Sequence, residues 1–181
     1  MHQRYTVLAT AYLTKPKLGP TPARTLLIGA AVLHVEERFG ARAVHLDAHS
    51  TLTTDNPADT LAWLASEIWG GRRTLMLWRA EDIVVPSLIA AAEDAADAAI
   101  AAQFLREFEK SLTGHVIDVA DHFGRAKATS LDAVLHEAGL PFKPMSRQAL
   151  DEAYRTSCHG DIREHLRLRA LGIWRLWARR Q

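Results

Sequence analysis

Residues 5–47, YTVLATAYLTKPKLGPTPARTLLIGAAVLHVEERFGARAVHLD, contain three apolar segments joined by short connections. The segments at residues 5–13, 25–36 and 41–47 are rich in β-branched and other apolar side chains, a composition typical of strands. The connection at residues 15–22 holds three prolines and one glycine, and Gly40 marks the second turn. Connections this short have no room for a crossover helix, so the sequence predicts an antiparallel meander of three strands.

The remaining sequence alternates helical and strand patterns. Two short apolar segments, TLMLW at residues 74–78 and HVIDV at residues 115–119, predict a fourth and a fifth strand. Helical spacing, N-cap residues and terminating glycines predict helices at residues 57–69, 86–110 (in one or two pieces), 131–138, 147–158 and from 160 onwards. The last helix carries one apolar stripe, formed by Ile162, Leu166, Ala170, Ile173 and Trp177. This order predicts an α/β fold, a mixed five-stranded sheet with helices on both faces that resembles a ribonuclease H-like sheet.

The composition is that of a single globular domain spanning residues 1–181. With 48% hydrophobic and 24% charged residues, a chain of this length can bury one sizeable core. No apolar run reaches the roughly 18 residues of a membrane-spanning helix, so we expect no membrane association and a cytoplasmic location. The single cysteine, Cys158, excludes an internal disulfide framework. Its neighbour His159 is adjacent in sequence, and adjacent residues generally cannot form a nucleophile–base pair.

The net charge of +1 is unevenly distributed along the chain. Residues 1–35 carry four basic residues, residues 165–181 carry five, and neither segment contains an acidic residue. Residues 36–164 therefore hold all 21 acidic residues and have a net charge of −8. Basic ends favour an anionic partner if they meet in the fold, whereas the acidic middle argues against a broad nucleic-acid footprint.

Four segments in collinear order resemble the 3′–5′ exonucleases related to the proofreading domain of family B DNA polymerases. Residues 130–140, SLDAVLHEAGL, resemble the family's SLDELARLLGL, and HVIDVADHFG at residues 115–124 resembles its HIDLMDLL. LMLWRAEDIVVPSL at residues 75–88 resembles LVTYNGRGFDLPVL, and the final helix resembles IRAYCEQDVLNTYLLYLR. The resemblance spans residues 5–178. It implies a fold in which strand one lies at the centre of the sheet and the last helix packs across it.

Such enzymes hold two divalent metal ions with a cluster of carboxylates, and this sequence departs from that pattern at every motif. No acidic residue precedes residue 36 or follows residue 164. The positions that correspond to the three motifs are occupied by Ala9, Ala11, Arg79, Val84, His165 and Arg169. Mg²⁺ and Mn²⁺ require hard oxygen ligands, which these side chains do not supply. The sequence therefore predicts no metal, no other cofactor and no catalysis of the family type.

Two other clusters contain residues that can ligate a metal. His115, Asp118, Asp121 and His122 lie where a strand leads into a helix, which would splay the four groups apart. Asp118 matches an acid in the family's HID, so we expect it to form structural hydrogen bonds. The second cluster, His45, Asp47 and His49, alternates on one face of strand three without a clear further ligand, and we expect a solvated face. An active nuclease with a relocated site is the least favoured function.

Two classes of function remain. In the first, the protein is a catalytically inactive exonuclease-like protein, and Arg79, Arg169 and His165 contact single-stranded nucleic acid in a metal-free basic cleft. In the alternative, it is a protein-interaction or structural subunit, and the end of the last helix at Trp174 and Trp177 packs on a partner or on a second copy. Two cations held close together require an anion nearby. An internal carboxylate paired with each arginine favours the interaction alternative, whereas unpaired arginines that face solvent favour nucleic acid.

Overall fold

The computed structural model describes residues 2–15, 24–39, 41–52, 56–68, 73–124, 130–141 and 145–181. These residues form an α/β fold with one mixed sheet, as predicted, in the strand order β3-β2-β1-β4-β5. The strands are β1 (His2–Lys15), β2 (Arg24–Arg38), β3 (Ala41–Ser50), β4 (Thr74–Leu77) and β5 (His115–Asp118). The predicted loop beyond residue 15, the turn at residue 40 and the helix stop at residues 70–71 lie outside the described residues.

Six α-helices of the described chain cover the two faces of the sheet. They are α1 (Ala58–Glu67), α2 (Val85–Glu93), α3 (Ala98–Leu112), α4 (Leu131–Glu137), α5 (Arg147–Arg155) and α6 (His159–Ala178). Side-chain caps begin several of them: the Ser130 and Ser146 hydroxyls accept backbone N–H groups at the starts of α4 and α5. Gly139 follows the end of α4 with φ of 62°, a left-handed conformation that favours glycine. The segment at residues 86–110, which was predicted as one or two helices, forms two helices, α2 and α3.

The antiparallel meander of β1, β2 and β3 is confirmed, and β4 runs parallel to both β1 and β5. Along β1, Val7, Ala9 and Ala11 face α6, whereas Leu8 faces α1, α2 and α3. Burial on both faces explains why this strand is apolar without alternation. The resemblance implied that strand one is central and that the last helix packs across it, and the structure has both features.

Close contact between α6 and β2 depends on Gly29. A Cβ atom at this position would lie 2.7 Å from the His49 carbonyl oxygen and 2.9 Å from Leu166 Cδ1. The absence of a side chain therefore lets α6 approach the sheet closely. The predicted stripe on α6 faces this contact: Ile162, Leu166, Ala170 and Ile173 are fully buried, and Trp177 is half-buried.

The pairing of β1 with β4 is short. β4 pairs with β1 only over residues Tyr5 to Val7, and it ends at Leu77. After β4, the chain turns at Arg79 and forms a π-helical turn (Ala80–Val84) that leads directly into α2. From Leu8 onwards, the edge of β1 on this side has no neighbouring strand among the described residues. This arrangement leaves a gap beside the second half of β1.

Candidate functional site

A pocket of about 280 Å³ fills the gap beside β1. We call it the β1 pocket. Its walls come from the second half of β1, the π-helical turn and helices α4, α5 and α6. Most of the lining is apolar and includes Trp78, Leu150 and Ile173. Its volume lies just below the roughly 300–1,000 Å³ typical of small-molecule sites, which suits one ring-sized group rather than a large ligand.

The structure brings five of the six predicted site residues into the β1 pocket. Ala9, Ala11, Val84, His165 and Arg169 all line it. They come from three separate parts of the chain, so the tertiary fold is what gathers them. Arg79, the sixth residue, is not among the residues that line the pocket. Arg79 and Arg169 were expected to lie together in one cleft beside strand one. Arg169 lines the β1 pocket there, and Arg79 does not.

Arg169 forms an ion pair with Asp132, a residue that the sequence did not single out. The Arg169 Nη1 atom donates to Asp132 Oδ1 at 3.1 Å, and the two side chains are 23% and 34% exposed, respectively. Burial lowers the pKa of the Arg169 guanidinium, and the Asp132 carboxylate opposes that effect. Arginine remains charged in proteins, so the pocket wall contains a fixed pair of opposite charges.

His165 is a buried, neutral histidine in the pocket wall. Its Nδ1 atom accepts the backbone N–H of Met145 at 3.1 Å. Burial, and after it the positive charge of Arg169, lowers the pKa of His165 to about 4. The imidazole is uncharged at neutral pH, so this residue does not add to the positive charge of the pocket.

Arg79 lies at the turn between β4 and the π-helical turn, in a left-handed conformation with φ of 57°. Its Nη2 atom is 3.6 Å from Asp82 Oδ2. The carboxylate of Asp118, at the end of β5, accepts the N–H of Arg79 at 2.8 Å and the N–H of Ala80 at 2.7 Å. It also accepts the N–H of Ala120 and so caps the 3₁₀ helix Val119–Phe123. The structural hydrogen-bonding role predicted for Asp118 is confirmed.

One cation of the β1 pocket was missed by sequence reasoning. Arg147, the first residue of α5, is exposed and lines the pocket. Among the described residues, no carboxylate pairs with it. Together with the Asp132–Arg169 pair and the neutral His165, Arg147 gives the charged groups of the pocket a net charge of +1. The only sequence signal was its place after the N-cap Ser146, which indicates a helix start but not a site.

The two alternative metal clusters are dispersed. His49 Nε2 lies 3.3 Å from Asp59 Oδ2, whereas Asp47 lies 3.6 Å from Arg167. His45, the third residue of this cluster on β3, stacks on His34. Within the described part of the chain, no group of three or more histidine, cysteine, aspartate or glutamate side chains is arranged to hold a metal ion. The described lining of the β1 pocket contains one carboxylate, that of Asp132, and it is already paired with Arg169.

No protein-family model, curated protein or solved structure matches this chain. The resemblance to the exonuclease family, drawn from the sequence segments, therefore remains a prediction. No helix in the described ranges combines the length and the apolar character needed to cross a membrane.

Proposed function

We propose that the protein is a catalytically inactive, exonuclease-like protein that binds single-stranded nucleic acid in the metal-free β1 pocket. One observation carries the proposal. Five positions that correspond to the family's catalytic motifs line one pocket, and the described lining of that pocket has a net positive charge and no free carboxylate. A pocket of this charge attracts a phosphate directly, whereas a divalent metal ion would be repelled.

The chemistry of the pocket suits the end of a single strand. Its apolar walls are suited to one unstacked base, although the Trp78 ring is 7% exposed and packs against Phe123, so only part of it faces the pocket. The exposed guanidinium of Arg147 is suited to an adjacent phosphate, because arginine presents several N–H donors in a planar fork. Arg79 and Arg169, the two arginines to which the sequence gave this role, each lie beside an internal carboxylate, which counts against phosphate binding through them. In this proposal Arg147 takes their role.

The test is the salt dependence of binding to a fluorescently labelled single strand. Each phosphate contact on a single strand contributes about 0.7 to the slope of log K against log salt. We expect Arg147→Ala to weaken binding and to reduce the slope by about that amount, and Arg147→Lys to keep the slope. Arg155→Ala is the matched control, because Arg155 lies on the same helix, is exposed and is already paired with Asp151. Absence of binding at low salt, or an equal slope in Arg147→Ala, would refute the proposal.

A protein-interaction function is the second candidate, and two observations favour it. Arg169 and Arg79 each lie beside an internal carboxylate, which is the arrangement expected of a structural remnant. In addition, Phe39 is 98% exposed and has φ of 48° at the turn between β2 and β3. A fully exposed aromatic side chain at a turn is available for contact with a partner.

Sedimentation velocity over a range of protein concentrations tests this candidate. A self-associating subunit would show a concentration-dependent dimer, and Phe39→Ser would shift it to monomer. Val44→Ser is the matched control, because Val44 is also exposed and lies on β3 away from the turn. A monomer at all concentrations would remove self-association through this turn.

A further inference from the structure

A second pocket, of about 520 Å³, lies at the beginning of β4 and β5. We call it the β4 pocket. Its floor is formed by Thr6, Ile68 and Leu75, which lie on the side of the sheet covered by α1 and α3. It shares no lining residue with the β1 pocket. Its volume falls within the roughly 300–1,000 Å³ of small-molecule sites.

Three basic side chains from different elements line the β4 pocket. Arg73 immediately precedes β4, Lys110 lies near the end of α3, and His115 begins β5. Hydroxyl groups of threonine and serine residues lie between them. The described lining contains no aspartate or glutamate. The fold therefore gathers cations from distant parts of an otherwise acidic middle segment into one concave surface.

The guanidinium of Arg73 is fixed and has an unused donor. Its Nη1 atom lies 2.7 Å from His34 Nδ1, and its Nη2 atom lies 3.6 Å from Glu36 Oε1. The Nε atom is buried and has no hydrogen-bond acceptor among the described residues. Because Nε has almost no accessible surface, a ligand in the pocket would be bound by the second N–H groups of Nη1 and Nη2.

Lys110 and His115 add further donors. The Lys110 side chain is 68% exposed, and its ammonium group contacts Glu107 Oε1 at 2.8 Å. An ammonium group has three N–H donors, so this contact leaves others for a ligand. His115 Nδ1 lies 3.2 Å from Thr74 Oγ1, which leaves Nε2 for a second contact. An arginine, a lysine and hydroxyl groups in one pocket form the set of donors that phosphate groups prefer.

We propose that the β4 pocket binds the phosphate group of a small phosphomonoester. The volume exceeds that of a phosphate alone and leaves space for an attached group of about sugar size. A monoester carries close to two negative charges at neutral pH. Arg73 and Lys110 each lie beside a carboxylate outside the described lining, Glu36 and Glu107, so what they offer the monoester is charge-assisted hydrogen bonds from their remaining N–H groups. This proposal is independent of nucleic-acid binding in the β1 pocket.

Isothermal titration of the full chain tests the proposal, with inorganic phosphate, ribose 5-phosphate and ribose as probes. We expect ribose 5-phosphate to bind more tightly than inorganic phosphate and ribose not to bind. Loss of one charge-assisted hydrogen bond corresponds to about a tenfold change in affinity, so Lys110→Ala should weaken binding by about that factor. Arg106→Ala is the matched control, because Arg106 is exposed on the same helix and does not line the pocket.

A second readout locates the ligand. Ribose 5-phosphate should shift the NMR signals of the His115 imidazole in the wild type and in Arg147→Ala, because the two pockets are separate. The proposal would be overturned if neither inorganic phosphate nor ribose 5-phosphate gave a heat of binding. It would also be overturned if Lys110→Ala and Arg106→Ala weakened ribose 5-phosphate binding equally. Displacement of ribose 5-phosphate by a single-stranded oligonucleotide would also overturn it, since the β4 pocket would then be a nucleic-acid site.

Discussion

Removal of the Asp132 carboxylate should destabilise the fold, because it leaves the Arg169 guanidinium without its partner. Asp132 lies in the first turn of α4, and Arg169 lies in α6, so the ion pair joins two helices across the wall of the β1 pocket. The bond is 3.1 Å long. In Asp132→Ala, the positive charge would remain in a site that lowers the pKa of the guanidinium by burial.

The expected size of the effect follows from the exposure of the two side chains. Fully exposed ion pairs contribute about 0–1 kcal/mol, whereas removal of one partner of a fully buried pair costs about 3–5 kcal/mol. With exposures of 23% and 34%, this pair lies between these limits. We therefore expect Asp132→Ala to lower the free energy of unfolding by about 2 kcal/mol.

A double-mutant cycle in urea separates the ion pair from other effects of each change. Arg169→Leu removes the charge and keeps an apolar side chain in the wall, so the double variant Asp132→Ala/Arg169→Leu should recover about 1 kcal/mol of the expected loss. Unfolding is followed by circular dichroism, and the midpoints are compared at equal slope. A coupling energy below about 0.5 kcal/mol would refute the claim that this pair holds the pocket wall.

Three further predictions concern the other groups of the site. Because burial lowers the pKa of His165 from 6.5 to about 4, the unfolded chain takes up this proton first as the pH falls. Stability should therefore decrease by about 3 kcal/mol between pH 6.5 and pH 4, and His165→Gln should flatten this part of a urea-unfolding pH profile. Asp118→Ala removes the acceptor of three backbone N–H groups and should cost about 3 kcal/mol, and a loss below about 1 kcal/mol would contradict that role. Purified protein with Mn²⁺ should leave a 3′-labelled single strand intact, and shortening that follows the protein through gel filtration would contradict the prediction that the protein is not a nuclease.

The fold was predictable because most of its signals are local. The three strands of the meander are apolar segments bounded by proline and glycine, and the helices α4 and α5 begin at serine N-caps. Strand ends were less predictable. β1 begins at His2 and ends at Lys15, beyond the predicted residues 5–13, because it pairs with β2 along its whole length. Pairing between strands extends a strand into residues that have no strand composition of their own.

The predicted site residues were gathered only in part, and their role stays a prediction. The alignment with the exonuclease pattern identified five residues that the fold brings into one pocket. It gave the wrong surroundings for Arg79, because the left-handed turn there depends on Asp118, which is 39 residues away. Asp132 lies in the first turn of α4, where acidic residues are common, and Arg147 directly follows the N-cap of α5. Their sequence context therefore indicates helix starts and no site.

The early separation of β4 from β1 creates the β1 pocket, and it does not depend on carboxylates in the pocket wall. β4 leaves β1 after Val7, and the π-helical turn and α6 enclose the remaining edge. In the exonuclease pattern, this enclosed edge would hold carboxylates and metal ions. Arg169 lies where the proposed resemblance would place an acid, and its charge neutralises Asp132, the acidic group of the described wall. Among the described lining residues, the guanidinium of Arg147 is the charge that remains unpaired, so the described lining has a net charge of +1, which suits the anionic ligand that we propose.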